Sequence, residues 1–261
     1  MIPKKIHFCW LSGDEFPPLI QYCIDTWKKV LPDYEIVLWD TKRFDINSVA
    51  WVKEAFAAKK YAFAADYIRF YALYTEGGIY LDSDVEMLKT FTPLLNSKSF
   101  VGFEAATEMV EAAIVGSEPG MPWCKDILDF YTDKHFIPGM DTSNILAPVV
   151  TGNALRAIYP KFPTTMPTKP ISLSNGEFMV YPAHYFSPIK YDIEKNYSNT
   201  KVSTSKYSNN PETFCIHRFN ASWTVKPSTK IQLWDTFKKK LKAILGEKQA
   251  IRIISLIKKF K

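Results

Sequence analysis

No apolar run in the 261-residue sequence approaches the roughly 18 to 20 residues that a membrane-crossing helix needs, so no spanning segment is expected. Glycine is scarce, at 10 residues, which excludes a collagen-like or low-complexity chain. Cysteine is scarcer. Cys9, Cys23, Cys124 and Cys215 stand apart without a C-x-x-C pair, so neither a zinc ribbon nor a dithiol redox motif is written here. Isolated cysteines in a chain of this size predict free thiols in a reducing compartment. Met1-Ile-Pro-Lys-Lys leads into a short stretch holding Trp and His, which lacks the form of a signal peptide. The expected location is therefore cytoplasmic.

A basic body is also missing. Residues 1–225 carry 22 basic and 25 acidic side chains, whereas residues 226–261 carry eleven Lys/Arg against Asp235 and Glu247. The net charge of +6 is thus a property of the tail, and a nucleic-acid-binding body is not expected. What the chain does have is ring-bearing side chains: 7 Trp, 14 Tyr and 18 Phe, within a composition that is 47% hydrophobic. That fits a globular chain with a large core, and the rings suit either that core or stacking on bases and sugars.

Strand and helix patterns alternate over the first 90 residues. Lys4 to Leu11 reads as a strand, and Pro17-Pro18 opens a helix that Pro32 stops. Tyr34 to Trp39 reads as a second strand. Ser48 is the expected N-cap of a helix reaching Tyr61, and another helix runs from about residue 63 to 75. Gly77-Gly78 ends it, and Ile79-Tyr80-Leu81 is a third strand running into Asp82-Ser83-Asp84. This alternation predicts an α/β unit with parallel strands. Further strands are expected at 100–103, 112–115 and 178–181, and a helix at 123–132. From Ile231 to Leu245 the tail is amphipathic, with Ile231, Trp234, Phe237, Leu241, Ile244 and Leu245 on one helical face. Two segments are expected: a domain over 1–225 and a basic amphipathic helical segment over 226–261.

The chemistry concentrates in one stretch. Asp82 and Asp84 follow a buried strand, at the carboxyl edge where α/β sheets place ligands. In an extended segment residues i and i+2 share a side, so both carboxylates can meet one hard divalent cation. Such a cation would stabilise a diphosphate as a leaving group. Asp66 and Arg69 lie i, i+3 on a helix, as an intrahelical salt bridge or as a paired grip on sugar hydroxyls.

The order A-x-D-x-x-R (64–69), then L-Y-x-x-G-G-I-Y-L-D-x-D (73–84), resembles the sugar-binding DXD region of glycosyltransferase family 32. Ile2-Pro3-Lys4-Lys5-Ile6-His7-Phe8-Cys9-Trp10 looks like that family's opening, and Tyr34 to Asp40 like its second strand. His217-Arg218-Phe219-Asn220-Ala221-Ser222-Trp223 is similar to its closing motif. The resemblance implies a GT-A fold, a Rossmann-like mixed sheet flanked by helices that binds a nucleotide sugar. It also implies a retaining, metal-dependent transferase that moves a hexose or N-acetylhexosamine from a UDP-sugar to a growing glycan. Lipid-linked capsule or lipopolysaccharide oligosaccharide is the acceptor class it brings to mind, and GDP-mannose is the second donor.

Residue by residue, the resemblance gives Asp84 and Asp82 to the metal, with His217 as a third ligand. Two carboxylates and one imidazole suit Mn²⁺, with Mg²⁺ second. Asp82 also meets the ribose, Asp66 and Arg69 hold the donor sugar, Trp10 lies beside the base, and Ser222 and Trp223 reach the diphosphate. Catalysis is thereby assigned to Asp66, Arg69, Asp82 and Asp84. His7 is expected to be structural. Ala147-Pro148 replaces the family's G-P motif, and Glu104, Asp141 and Asn144 are candidates for the acceptor face. A phosphohydrolase would use more His and acidic ligands than appear. A carbohydrate-binding protein would leave the Asp66/Arg69 and Asp82/Asp84 set idle. The basic tail is expected on an anionic membrane surface, on the domain, or against a partner helix.

Overall fold

The structure is a computed structural model, and it describes residues 1–105, 107–189 and 204–219. Strand β1 (Lys5–Cys9) leads to helix α1 (Pro18–Val30), strand β2 (Glu35–Trp39), and helices α2 (Ala50–Ala57) and α3 (Tyr61–Glu76). Strands β3 (Gly78–Leu81), β4 (Val85–Met87), β5 (Ser99–Phe103) and β6 (Val110–Ser117) follow. Helices α4 (Pro122–Thr132) and α5 (Ala147–Ile158) precede strands β7 (Ile171–Leu173), β8 (Phe178–Tyr181) and β9 (Cys215–His217).

Seven strands form one mixed sheet in the order β2-β1-β3-β6-β5-β8-β7, and β4 pairs with β9 in a separate ladder. The β1–β2 and β1–β3 pairs are parallel, as alternation predicted, while β6 runs antiparallel to both β3 and β5. Two apolar layers flank the sheet. One packs Trp51, Ile68, Phe70, Trp123 and Tyr131 from the helices against Val101, Phe103 and Val180. The other gathers Ile20, Ile24 and Trp27 of α1 with Phe8, Leu81, Phe91, Phe100 and Phe186. The abundant rings are therefore largely core.

Several expectations need correction. Ser48 does not cap α2: its hydroxyl donates to the Asp45 carbonyl, and Val49 precedes the helix without a side-chain cap. The helix stops at Ala57, where Lys59 turns with φ of 56°, and α3 starts at Tyr61. Helix α5, with Pro148 in its first turn, and the three-residue strand β4 were not among the expected elements. The Gly77-Gly78 pair has a steric reason. Both residues have positive φ, 64° and 105°, and a Cβ on Gly78 would stand 2.8 Å from the Lys5 carbonyl oxygen. All four cysteines are free, as expected. Ser222, Trp223 and the 226–261 segment lie outside the described residues.

Candidate functional site

The parallel strands β1 and β3 deliver Trp10 and Asp82 to one edge of the sheet. Because β6 is antiparallel to β3, its first residues, Val110 and Glu111, arrive at that same edge. Strand β5 brings Glu104 there from the next position. The edge thus collects side chains from four neighbouring strands.

Asp82 and Asp84 converge, but not through an extended segment. The Val85 amide donates to the Asp82 carbonyl at 3.1 Å, so residues 82–85 form a tight turn. Strand β9 then pairs antiparallel with β4, setting His217 opposite Val85, next to Asp84. The Arg218 amide donates to the Asp84 carbonyl at 3.1 Å. As a result one ligand atom from each of Asp82, Asp84 and His217 lies within 4.8 Å of the others. His217 Nε2 is 3.6 Å from Asp84 Oδ1, and Nδ1 is 3.3 Å from Glu111 Oε2. Burial disfavours a charged ring, yet Glu111 and Asp84 outweigh it and raise the imidazole to about 10.

Asp66 and Arg69 face each other on α3 as their spacing predicted, at 2.8 Å. Arg69 is buried and does more than pair along its helix. It donates to the Ala112 carbonyl at 2.6 Å, lies 3.5 Å from Asp82 Oδ1 and sits over the Tyr80 ring at 4.8 Å. Its Nε is buried without a hydrogen-bond partner. Burial pushes the Asp66 carboxyl up to about 7, although Arg69 pulls it down. The Ala147 amide at the start of α5 also bonds Asp66. For Asp82, burial raises the carboxyl, Arg69 lowers it, and Asp84 adds to the rise.

Two further carboxyls complete the cluster. Glu111 is fully buried on β6 and was not foreseen, because no local pattern marks it. Glu104 is also buried; burial first and Glu111 second push it up to about 8, and the Thr107 hydroxyl donates to it at 2.7 Å. Asp141 and Asn144 are exposed, and Asp141 accepts locally from the Ser143 amide. Trp10 is half-buried beside Phe16, its indole N–H bonded to the Asp14 carbonyl at 2.7 Å. His7 is structural, as expected. It accepts from the Trp39 indole at 3.0 Å on Nδ1 and donates to the Gly77 carbonyl at 2.7 Å from Nε2.

The carboxyl groups of Asp66, Asp82, Glu104 and Glu111 gather beside Arg69 and His217, and Asp84 joins them next to the His217 ring. Two carboxylates and an imidazole converging in this way fit a divalent cation of the Mn²⁺ or Mg²⁺ type.

Residues 17–101 match the family described as "Glycosyltransferase sugar-binding region containing DXD motif". The chain is 30% identical over 134 residues to inositol phosphoceramide mannosyltransferase 3 of Schizosaccharomyces pombe, covering 49% of this chain and 36% of that protein. It is 29% identical over 159 residues to mannosyl phosphorylinositol ceramide synthase CSH1 of Saccharomyces cerevisiae, covering 57% and 41% respectively. The chain thus spans about two fifths of the curated relatives it matches here. Among solved structures, the PaToxG glycosyltransferase superposes with a TM-score of 0.51 at 22% identity, covering 61% of this chain and 70% of that one. The Asp66–Arg69 and Asp82–Asp84 motifs fall inside the matched region, so the stretch that holds them resembles a DXD-type glycosyltransferase sugar-binding region, and the chain shares its fold with a solved glycosyltransferase.

Proposed function

We propose that the protein is a divalent-metal-dependent, retaining glycosyltransferase that uses a nucleotide-sugar donor. The observation that carries this reading is the convergence of Asp82, Asp84 and His217 at the carboxyl edge of the sheet, one residue past β3. These three side chains would hold Mn²⁺, or Mg²⁺ in second place. The bound cation would supply Lewis-acid stabilisation to the departing diphosphate.

The chain's own residues provide the rest. Arg69, fixed by Asp66 and by the Ala112 carbonyl, presents a planar guanidinium beside Asp82 and would orient the donor sugar with Asp66. Trp10, half-buried just past β1, would meet the nucleotide base, and Asp82 the ribose. Ser222 and Trp223 belong to the same proposal through the closing motif. Of the three acceptor-face candidates, burial and electrostatic contact with Asp82 support Glu104. A carboxyl held near neutral can donate a hydrogen bond to a sugar hydroxyl without adding negative charge to the cluster. Retention of configuration rests on the family resemblance.

A UDP-hexose or UDP-N-acetylhexosamine is the donor favoured by the motif reading. A second reading, GDP-mannose, is supported by the names of the two yeast relatives, which are mannosyl-transferring enzymes acting on a lipid. Those names also support a lipid-linked acceptor, which suits a cytoplasmic protein whose basic tail reaches the anionic inner face of the cell membrane. The test is release of UDP or GDP from UDP-glucose, UDP-N-acetylglucosamine and GDP-mannose, with Mn²⁺ and with EDTA. Metal-dependent turnover of one donor is expected. Hydrolysis of a simple phosphoester, with every nucleotide sugar left intact, would overturn the proposal.

A further inference from the structure

Glu111 is the buried ionisable group that the reading above leaves without a task. Its side chain is wholly enclosed, and no Lys or Arg among the described residues pairs with it. An ionised carboxylate there is costly unless every lone pair is engaged. The local fold engages them. Along β5 and β6 the register steps from Val101↔Val115 to Gly102↔Glu111, so Ala112, Ala113 and Ile114 bulge away from β5. The bulged residues turn to β3 and α3 instead. Ile114 pairs with Leu81, the Ala113 carbonyl accepts from the Asp82 amide at 2.9 Å, and the Ala112 carbonyl accepts from Arg69. Irregular ladders of this kind re-aim a side chain beside functional sites.

Here the re-aimed side chain is Glu111. Its Oε1 accepts from the Ala113 amide at 2.8 Å, and its Oε2 accepts from the Ser187 hydroxyl while facing His217 Nδ1 at 3.3 Å. Three segments far apart in sequence, at Glu111, Ser187 and His217, therefore meet at one carboxylate that faces the imidazole. The Phe219 ring stacks on the same imidazole with centroids 3.9 Å apart. With Nδ1 directed at Glu111, the other nitrogen, Nε2, is the one that faces Asp84.

From this arrangement we infer that Glu111 is a positioning residue: it holds the Nδ1–H of His217 and thereby aims Nε2 at the cation site formed with Asp82 and Asp84. The inference rests on the metal-site reading above. A carboxylate behind a ligating imidazole fixes its tautomer and raises its basicity, and losing such a partner typically weakens metal binding about 10- to 100-fold. Ser187 acts one step further out, by orienting Glu111.

The test is titration of the full-length protein with Mn²⁺ alone, following free Mn²⁺ by electron paramagnetic resonance, with thermal melts in EDTA to check folding. Glu111→Gln is expected to weaken Mn²⁺ binding roughly 10-fold, and His217→Ala by at least as much. The double variant should bind no more weakly than His217→Ala alone, because both changes remove the same ligand contact. If Glu111→Gln fails to fold, Ser187→Ala carries the test, and a several-fold loss is expected. Wild-type affinity in a folded Glu111→Gln or Ser187→Ala protein would overturn the inference, as would full additivity in the double variant. A wild-type protein that binds no Mn²⁺ would instead sink the metal-site reading on which the inference stands.

Discussion

The two halves of the site are built in opposite ways. Asp66, Arg69, Asp82 and Asp84 come from one continuous run, α3 through β3 into the following turn. His217, Glu111 and Ser187 come from three separate places, with His217 and Glu111 separated by 106 positions in the chain. Helical spacing and a strand end are sufficient to juxtapose the first group. The second exists only because β9 pairs with β4 and because β6 bulges away from β5. The first half can therefore lose a side chain and keep its frame, whereas the second depends on long-range pairing.

The largest effect is expected where both halves meet. Asp84→Ala removes a carboxylate from the cation site, and any Mn²⁺-dependent donor turnover should fall by at least about 100-fold. A melt in EDTA should show a folded protein. Turnover within a few-fold of wild type would remove Asp84 from the chemistry.

Arg69→Lys sharpens the contrast from the other side. The guanidinium joins Asp66, the Ala112 carbonyl and the neighbourhood of Asp82, and an ammonium cannot span that fork. A loss of about 1–3 kcal/mol is expected in urea unfolding, along with reduced turnover. Nucleotide-dependent stabilisation should persist, because the proposed site gives the base to Trp10 and the diphosphate to the cation. Unchanged stability together with unchanged turnover would reduce Asp66–Arg69 to an incidental pair.

Glu104→Gln gives a smaller, pH-dependent effect. Burial raises this carboxyl from 4.5 to about 8, with Glu111 and Asp82 adding to the rise and Thr107 and His217 opposing it. The folded state therefore holds a proton that the unfolded state releases. Its contribution is full below about pH 4.5 and is lost as pH climbs toward 8. In EDTA the variant should gain on wild type between pH 5 and pH 8. Parallel melting curves across that range would show that Glu104 ionises freely.

The smallest effect is expected from the tail. Truncation after Pro227 should lower co-sedimentation with anionic vesicles at low salt and leave nucleotide binding intact, since screening weakens lipid attraction. Unfolding of the truncated chain, with no vesicle binding by the full one, would make the tail a structural element.

What the sequence made legible follows the same division. The parallel order of β1, β2 and β3 was readable because each strand ends at a Gly, Pro or Asp signal and each helix has its own apolar period. The Asp66/Arg69 pair was readable from one helical turn. The turn at 82–85 was not, since two acids spaced by one residue converge either in an extended chain or in a tight turn. Glu111 was invisible because its burial is set by partners on β9 and near Ser187. His217 was reached only through a family motif, because the three-residue strand that carries it has no period of its own. Ser48 shows the reverse error, a good capping residue whose hydroxyl found the Asp45 carbonyl first.

The most direct measurement is the thermal stability of the wild-type protein and of Asp84→Ala with UDP or GDP, each in Mn²⁺ and in EDTA. A ligand at about 100 times its Kd adds roughly 2.7 kcal/mol to the native state, a shift of several degrees. A cation bridging the carboxylates to a diphosphate predicts that shift for one nucleotide in Mn²⁺, its absence in EDTA, and its absence in Asp84→Ala under either condition. Equal stabilisation by the nucleotide in EDTA and in Mn²⁺, with Asp84→Ala behaving as wild type, would contradict it.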